Sequence, residues 1–112
     1  MDTSSFTGIV IEDSKIIEYL LNISHPEGSS KALFLIRHGF NTERPEVLKA
    51  TLLIHLEENS PVNVKKTKFG AKYILSGKVK APDGNELMLR SIWMKPSKEN
   101  ILKFVTAYPI EL

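Results

Sequence analysis

The chain has 112 residues with a net charge of +2, of which 42% are hydrophobic and 25% are charged. This length predicts a single domain over residues 1–112 with one core, and no apolar run approaches the roughly 20 residues of a membrane-spanning helix. The absence of cysteine excludes disulfides, thiolate catalysis and the usual structural zinc sites. Because the first ten residues also show no secretory signal pattern, we expect a soluble, cytoplasmic protein without a membrane partner.

The first half of the chain predicts helices. Residues 6–11 are short and apolar enough for a brief strand, and apolar residues over 14–22 then repeat on one helical face. A second short helix is predicted over 31–37, closed by Gly39. The third runs from Pro45, which suits a first helical turn, to about residue 58, and it is the strongest helical pattern in the sequence.

After residue 60 the apolar period changes from 3.6 to 2, which is typical of strands. Strands are predicted over 62–68, 71–80, 87–95 and 101–108. The connections between them are short, and the sequence Pro82-Asp83-Gly84-Asn85 is a strong turn signal. The sequence therefore predicts an α+β domain, with about three N-terminal helices packed on a C-terminal four-stranded antiparallel meander sheet.

Charge is divided unevenly between the two halves. Residues 1–59 contain five Lys/Arg and nine Asp/Glu, whereas residues 60–112 contain ten Lys/Arg and four Asp/Glu. The basic half could bind a polyanion such as RNA. The alternative interpretation is that lysines cover the solvent face of a sheet and block edge-to-edge aggregation.

The three histidines differ in their sequence context. His25 lies in a Pro/Gly loop, where it could serve as a general acid or base or could simply hydrogen-bond the turn backbone. His38 precedes Gly39 at a helix end and is expected to cap that helix. His55 lies within the third helix and is expected to be partly exposed or at the edge of the core. No pair has metal-site spacing, so no metal or other cofactor is expected.

Arg90 stands in an otherwise apolar strand, beside Ser91 and two residues before the core candidate Trp93. Burying arginine is costly unless it is paired or faces a ligand, and its guanidinium is well shaped to hold phosphate. Two interpretations are open: Arg90 faces a ligand, or it pairs with a helix carboxylate such as Glu18 or Glu46.

The last strand places two hydroxyls, those of Thr106 and Tyr108, on one face near the chain end. Lys72 adds a cation on a neighbouring strand. Metal-free RNA cleavage needs a base, an acid and cations around the phosphate, so this inventory is compatible with that chemistry. Thr and Tyr are also common strand residues, which is the structural alternative.

These residues resemble the recurring pattern of a bacterial family of small domains of unknown function. The resemblance covers about residues 14–109. It is carried by Tyr19-Leu20-Leu21-Asn22, His25-Pro26, Gly28, Lys31-Ala32, Gly39-Phe40, Phe69-Gly70, Lys72-Tyr73, Pro82-Asp83-Gly84, Arg90-Ser91, Trp93 and Val105-Thr106-Ala107-Tyr108-Pro109. Members of that family also occur as C-terminal modules of polymorphic toxins, which implies a toxin-like domain.

The layout of helices followed by a meander is also similar to the ribonuclease-toxin superfamily that includes barnase and RelE-like enzymes. This second resemblance implies a metal-independent endoribonuclease, or an RNA-binding domain, that uses a basic sheet face. The matched polar positions then form the candidate site: His25, Lys72, Arg90 and Thr106 as catalytic residues, and Lys31, Ser91 and Tyr108 as substrate-binding residues.

A different class of function is also compatible with the sequence. The chain could be a non-catalytic interaction module whose sheet or helical face binds a protein partner, such as an immunity protein or antitoxin. The position of Arg90 separates the two hypotheses. A helix carboxylate paired with it in the core favours the interaction module, and a cleft that exposes it favours the enzyme.

Overall fold

The computed structural model describes residues 1–24 and 29–110. In these residues it contains three helices, which are a π-helix (Lys15–Leu20), α1 (Ser29–Arg37) and α2 (Pro45–Glu58). It also contains five strands, which are β1 (Gly8–Val10), β2 (Pro61–Thr67), β3 (Gly70–Lys80), β4 (Glu86–Pro96) and β5 (Ile101–Pro109). No helix in these residues is long and apolar enough to cross a membrane.

The strands form one mixed sheet in the order β1-β5-β4-β3-β2. The antiparallel meander of β2 to β5 was predicted, but the prediction of a four-stranded, purely antiparallel sheet is wrong. The brief strand near the N-terminus joins the sheet as its fifth member and pairs in parallel with β5, with Gly8 opposite Ile101. Its three residues are too few to show a period of 2, and a parallel pairing between distant segments leaves no turn signal in the sequence.

α2 and the π-helix pack on one face of the sheet, and α1 packs against the π-helix. Pro45 begins α2, and Leu48, Leu52 and Leu56 follow at a spacing of four residues and are at most 1% exposed. Gly39 lies in the turn just after α1; its φ of 103° is in the left-handed region and its absent Cβ leaves room for Pro82. This close approach fixes the end of α1 against the turn between β3 and β4.

The two faces of the sheet differ in character. On the face under α2, β4 presents Leu87, Leu89, Ser91 and Trp93, all buried. We call the opposite side the outer face. By cross-strand register it carries Lys72, Ile74 and Ser76 of β3, Arg90 and Ile92 of β4, and Thr106 and Tyr108 of β5.

A buried polar chain connects α2 with the sheet. The Trp93 indole N–H donates to Ser91 Oγ (2.9 Å), and Ser91 Oγ lies 2.8 Å from His55 Nδ1. His55 Nε2 lies 3.2 Å from the Gly77 carbonyl and 3.0 Å from the Leu89 carbonyl, so it carries the proton and donates to both. Nδ1 therefore accepts from the Ser91 hydroxyl. Every polar group of the chain is satisfied although all three side chains are 0% exposed.

This arrangement corrects the expectation that His55 is partly exposed or at the edge of the core. Its imidazole is fully buried because two paired strands present their carbonyls to it, an environment that helical periodicity cannot reveal. Burial lowers the pKa of His55 from its usual 6.5, which outweighs the opposing effect of the two carbonyl hydrogen bonds. The ring is therefore held neutral.

Replacing the central hydroxyl tests the chain. Ser91→Ala leaves the His55 Nδ1 acceptor and the Trp93 N–H donor buried without a partner, so we expect the free energy of unfolding to fall by about 3 kcal/mol in urea denaturation. The exposed Ser97→Ala is the control and should change it by less than about 0.5 kcal/mol. Equal effects of the two variants would contradict this account.

The buried imidazole also predicts a pH dependence. Because the folded pKa of His55 lies below the unfolded value near 6.5, the unfolded chain takes up a proton there that the folded chain does not. The stability contributed by His55 is thus present above about pH 6.5 and is lost as the pH falls, with a slope of at most about 1.4 kcal/mol per pH unit. Urea unfolding between neutral and mildly acidic pH measures this slope, and an equal slope in His55→Gln would contradict its assignment.

Candidate functional site

The outer face of the sheet contains a groove of about 510 Å³ that is lined by strand residues. We call it the basic groove, and its lining residues are Val62, Asn63, Lys65, Lys72, Ile74, Arg90, Ile92 and Tyr108. Three of these side chains are cationic and none is a carboxylate. The apolar floor weakens competition from water, so the cations attract an anion more strongly than they would on a fully exposed surface.

Arg90 lies at the centre of this arrangement. In the register of the sheet it stands opposite Ser76 on β3 and Tyr108 on β5, and its Nε donates to Ser76 Oγ at 3.0 Å. Among the described residues, no carboxylate lies within 4 Å of the guanidinium. The predicted alternative, a pairing with Glu18 or Glu46, is therefore not found, and the side chain is held by a neutral hydroxyl while its charge faces the groove.

Two lysines of the groove face each other across the strands. Lys65 of β2 and Lys72 of β3 are directly paired in the antiparallel register, and both line the groove together with Arg90. Like charges at a cross-strand pair destabilise a sheet. A bound anion would relieve this repulsion, so the pair is better suited to a ligand than to the free protein.

Thr106 contributes an unused hydroxyl beside the groove. It stands opposite Ile92, next to the register shift between β4 and β5, and on the same face as Tyr108. Its Oγ1 atom is buried and has no hydrogen-bond partner among the described residues. An unsatisfied buried hydroxyl costs about 1–3 kcal/mol. Because this oxygen is closed to solvent, a ligand in the groove could reach it only if neighbouring side chains moved.

Lys31 brings α1 to the edge of the same site. Its Nζ lies 5.2 Å from the centroid of the Tyr108 ring and 6.0 Å from that of Tyr19. The first distance is typical of a cation–π contact. A fourth cation therefore stands beside the groove, supplied by a helix and not by the sheet.

The structure brings together five of the seven residues that the sequence proposed. Lys72, Arg90, Thr106 and Tyr108 share the outer face, and Lys31 contacts Tyr108. Ser91 does not join them. It is on the opposite face, is 0% exposed, and uses its hydroxyl within the buried chain.

The other histidines are placed as follows. His25 lies outside the described residues. His38 was expected to cap α1, and its Nδ1 instead lies 2.9 Å from Asp83 Oδ2 in the turn between β3 and β4. The pKa of Asp83 is lowered, first by a backbone hydrogen bond from Asn85 and also by this contact with His38. Among the described residues no three His, Cys, Asp or Glu side chains gather as metal ligands would.

Sequence reasoning missed the apolar lining of the groove and two of its polar residues, Lys65 and Asn63. The signal for Lys65 was present, since the short turn after β2 fixes the antiparallel register and places it opposite Lys72. Asn63 carried no such signal, because the register of β2 shifts between Pro61 and Asn63. A shift of this kind changes which side chains face the groove.

A comparison with known protein families assigns the chain to one of them. Residues 4–111 match the family described as a domain of unknown function, DUF6883, so the chain belongs to that family. No curated protein matches it.

A solved structure has the same fold. A chain of a contact-dependent growth inhibition toxin–immunity protein complex from Klebsiella pneumoniae 342 superposes with a TM-score of 0.71 and 16% identity. The alignment covers 90% of this chain and 99% of that one. At this identity the similarity establishes the fold alone.

The facing lysines predict that removing one of them stabilises the free protein but weakens its stabilisation by phosphate. In low salt, Lys72→Gln should stabilise the free protein by about 0.5 kcal/mol because it removes the repulsion with Lys65. The same variant should gain less thermal stability than the parent when inorganic phosphate is added. Thermal unfolding with and without phosphate at constant ionic strength measures both effects.

Lys66→Gln is the matched control. It removes the same charge one residue away on β2, where the cross-strand partner is Ala71 and not a lysine. It should neither stabilise the free protein nor reduce the effect of phosphate. Identical behaviour of the two variants would show that the groove is not an anion site.

Proposed function

We propose that this chain is a toxin-like domain that binds RNA in the basic groove and cleaves it without a metal ion. The observation that carries the proposal is the charge of the groove, which is lined by Lys65, Lys72 and Arg90 and by no carboxylate. Phosphate contacts dominate the affinity of proteins for nucleic acids, and guanidinium and ammonium groups are the side chains that supply them.

The chemistry follows from the groups on the outer face. In the proposed step the ribose 2′-oxygen attacks the neighbouring phosphorus while the bond from phosphorus to the 5′-oxygen breaks. A base removes the 2′-OH proton and an acid protonates the leaving 5′-oxygen. Arg90 and Lys72 stabilise the charge that develops on the phosphate oxygens. The hydroxyls of Thr106 and Tyr108 orient the ribose and phosphate.

His25 remains the proposed acid or base of this reaction. It precedes α1 in sequence, and Lys31 on that helix contacts Tyr108 beside the groove. Ser91 is no longer proposed as a substrate contact because its hydroxyl is buried on the other face.

The fold similarity supports the toxin-like part of the proposal. The similar chain comes from a complex of a growth inhibition toxin with its immunity protein. If this chain has a comparable role, a protein partner would control it. The charge of the basic groove indicates that such a partner would present acidic side chains to this face.

A second candidate function is a non-catalytic interaction module. The observation that favours it is the exposure of large apolar side chains on and beside β2, with Val62 62% and Phe69 71% exposed. β2 is also an edge strand of the sheet, and such strands can pair with a segment of another protein. In this alternative the outer face and its edge bind protein instead of RNA.

Incubation with structured RNA in EDTA tests the proposal. We expect the parent to cleave RNA, and we expect Arg90→Ala to lose at least about 100-fold in rate because it removes a charge that stabilises the transition state. His25→Ala should lose activity as well, since general acid–base catalysis contributes about 100-fold or more.

Arg37→Ala is the matched control for Arg90→Ala. Arg37 is an exposed arginine in the last turn of α1, outside the groove, and its loss should leave cleavage unchanged. Equal cleavage by the parent and Arg90→Ala would refute the assignment of the site. If the parent neither cleaves RNA nor binds it in a salt-dependent manner, the interaction module becomes the better account.

A further inference from the structure

A second cavity adjoins the end of the sheet. It has a volume of about 620 Å³, and we call it the end pocket. Its wall includes Phe34, His38, Asn85, Met88, Pro109 and Ile110. The wall thus combines a helix face, the β3–β4 turn, the start of β4 and the end of β5.

The end pocket and the basic groove are neighbours. Met88 of the pocket lies two residues from Arg90 of the groove on the same face of β4, a separation of about 7 Å. Pro109 of the pocket directly follows Tyr108 of the groove. Successive residues of a strand face opposite sides, so Pro109 faces the helices and the pocket wraps around the end of the sheet. A ligand that extends from Arg90 past Met88 therefore meets the pocket next.

One side of α1, continued by His38 just after it, borders the end pocket and the Tyr108 ring. Lys31, Phe34 and His38 follow the i, i+3, i+7 spacing of a single helical face. Lys31 contacts the Tyr108 ring beside the groove, while Phe34 and His38 line the pocket. The helix thus walls the pocket and, through Lys31, contacts one residue that lines the groove.

The wall of the pocket is suited to a flat aromatic ligand with a polar edge. The rings of Phe34 and His38 are 4.9 Å apart at an angle of 61°, an edge-to-face contact, and Met88 adds a polarisable thioether. Asn85 adds an amide and Glu86 a carboxylate to the lining. Aromatic and apolar surfaces of this kind stack unpaired nucleobases, whose edges need polar partners.

His38 is held in position before any ligand arrives. Its Nδ1 lies 2.9 Å from Asp83 Oδ2, and its backbone carbonyl accepts a hydrogen bond from the Asp83 N–H at 3.2 Å. Because Asp83 engages Nδ1, a ligand in the pocket would meet the Nε2 side or the face of the ring. A fixed ring loses little conformational freedom on binding, which favours affinity.

We propose that the end pocket binds the unpaired base of the nucleotide whose phosphate lies on Arg90. The inference rests on the proposed function, since it assigns the base of the same RNA ligand to the second cavity. The substrate class is then single-stranded RNA, because a base within a duplex cannot enter a pocket of this kind.

Amide chemical-shift mapping of the labelled protein tests the inference. Inorganic phosphate should shift amides of the groove, such as those of Lys72, Arg90 and Tyr108, and leave those of the end pocket unmoved. A nucleoside 3′-monophosphate should shift these and also the amides of Met88 and Ile110 in the end pocket. This map uses the parent protein and therefore does not depend on whether a variant folds.

Two variants on α1 measure the contribution of the pocket. Phe34→Ala should bind the nucleoside 3′-monophosphate about tenfold more weakly than the parent, while inorganic phosphate binds equally to both. Leu33→Ala is the matched control, because Leu33 is an exposed neighbour that does not line the pocket, and it should bind both ligands like the parent.

The outcomes separate the two proposals. If phosphate shifts the groove amides but the nucleotide leaves Met88 and Ile110 unmoved, the end pocket does not bind the base and the inference fails alone. Equal nucleotide affinity of Phe34→Ala and Leu33→Ala overturns it as well. If phosphate does not shift the amides of Arg90 and Tyr108, the proposed function fails. The end pocket is then tested alone by adding a nucleoside that carries no phosphate. If the nucleoside does not shift the amides of Met88 and Ile110, the inference is overturned too.

Discussion

The hydrogen-bonded chain from Trp93 through Ser91 to His55 holds the helical layer on the sheet in one position. A purely apolar contact between α2 and the sheet would tolerate small shifts, whereas His55 must meet two carbonyls and a hydroxyl at once. Asn59 strengthens the same contact, because its amide donates to the His55 carbonyl at 2.8 Å and its side chain fills the space where a Cβ at Gly77 would lie. A Cβ at residue 77 would displace the Asn59 amide from this position.

This fixed contact leaves the other face of the sheet free for a different task. All the apolar packing that α2 needs lies on one side, so the side chains of the outer face are not required to form the core. The outer face can therefore contain arrangements that lower the stability of the unliganded protein. The Lys65–Lys72 pair and the unsatisfied hydroxyl of Thr106 are two of them. Local features that conflict with stability are expected where a surface is selected for binding.

Most of the helices and strands could be predicted from the sequence, and the predictions that were wrong have physical reasons. α2 and the strands of the meander were predictable because their apolar periods are long and regular. The alternation of β4 placed Arg90 and Ser91 on opposite faces, yet both were proposed as site residues, because a motif in sequence does not show which face is buried. His55 was misjudged for a related reason, since its partners are backbone carbonyls of distant strands. The groove itself depends on cross-strand register and could not be predicted from single strands.

The parallel pairing of β1 with β5 has a consequence for the way the chain folds. Gly8 and Ile101 are neighbours in the sheet although they are separated by most of the sequence, so forming this pair closes a very long loop. Contacts of such high sequence separation slow folding, and during synthesis β1 must wait until β5 has left the ribosome. Thr106 and Tyr108 emerge at the same late stage. A nascent chain therefore has neither a finished sheet nor a finished site until synthesis of this domain is almost complete.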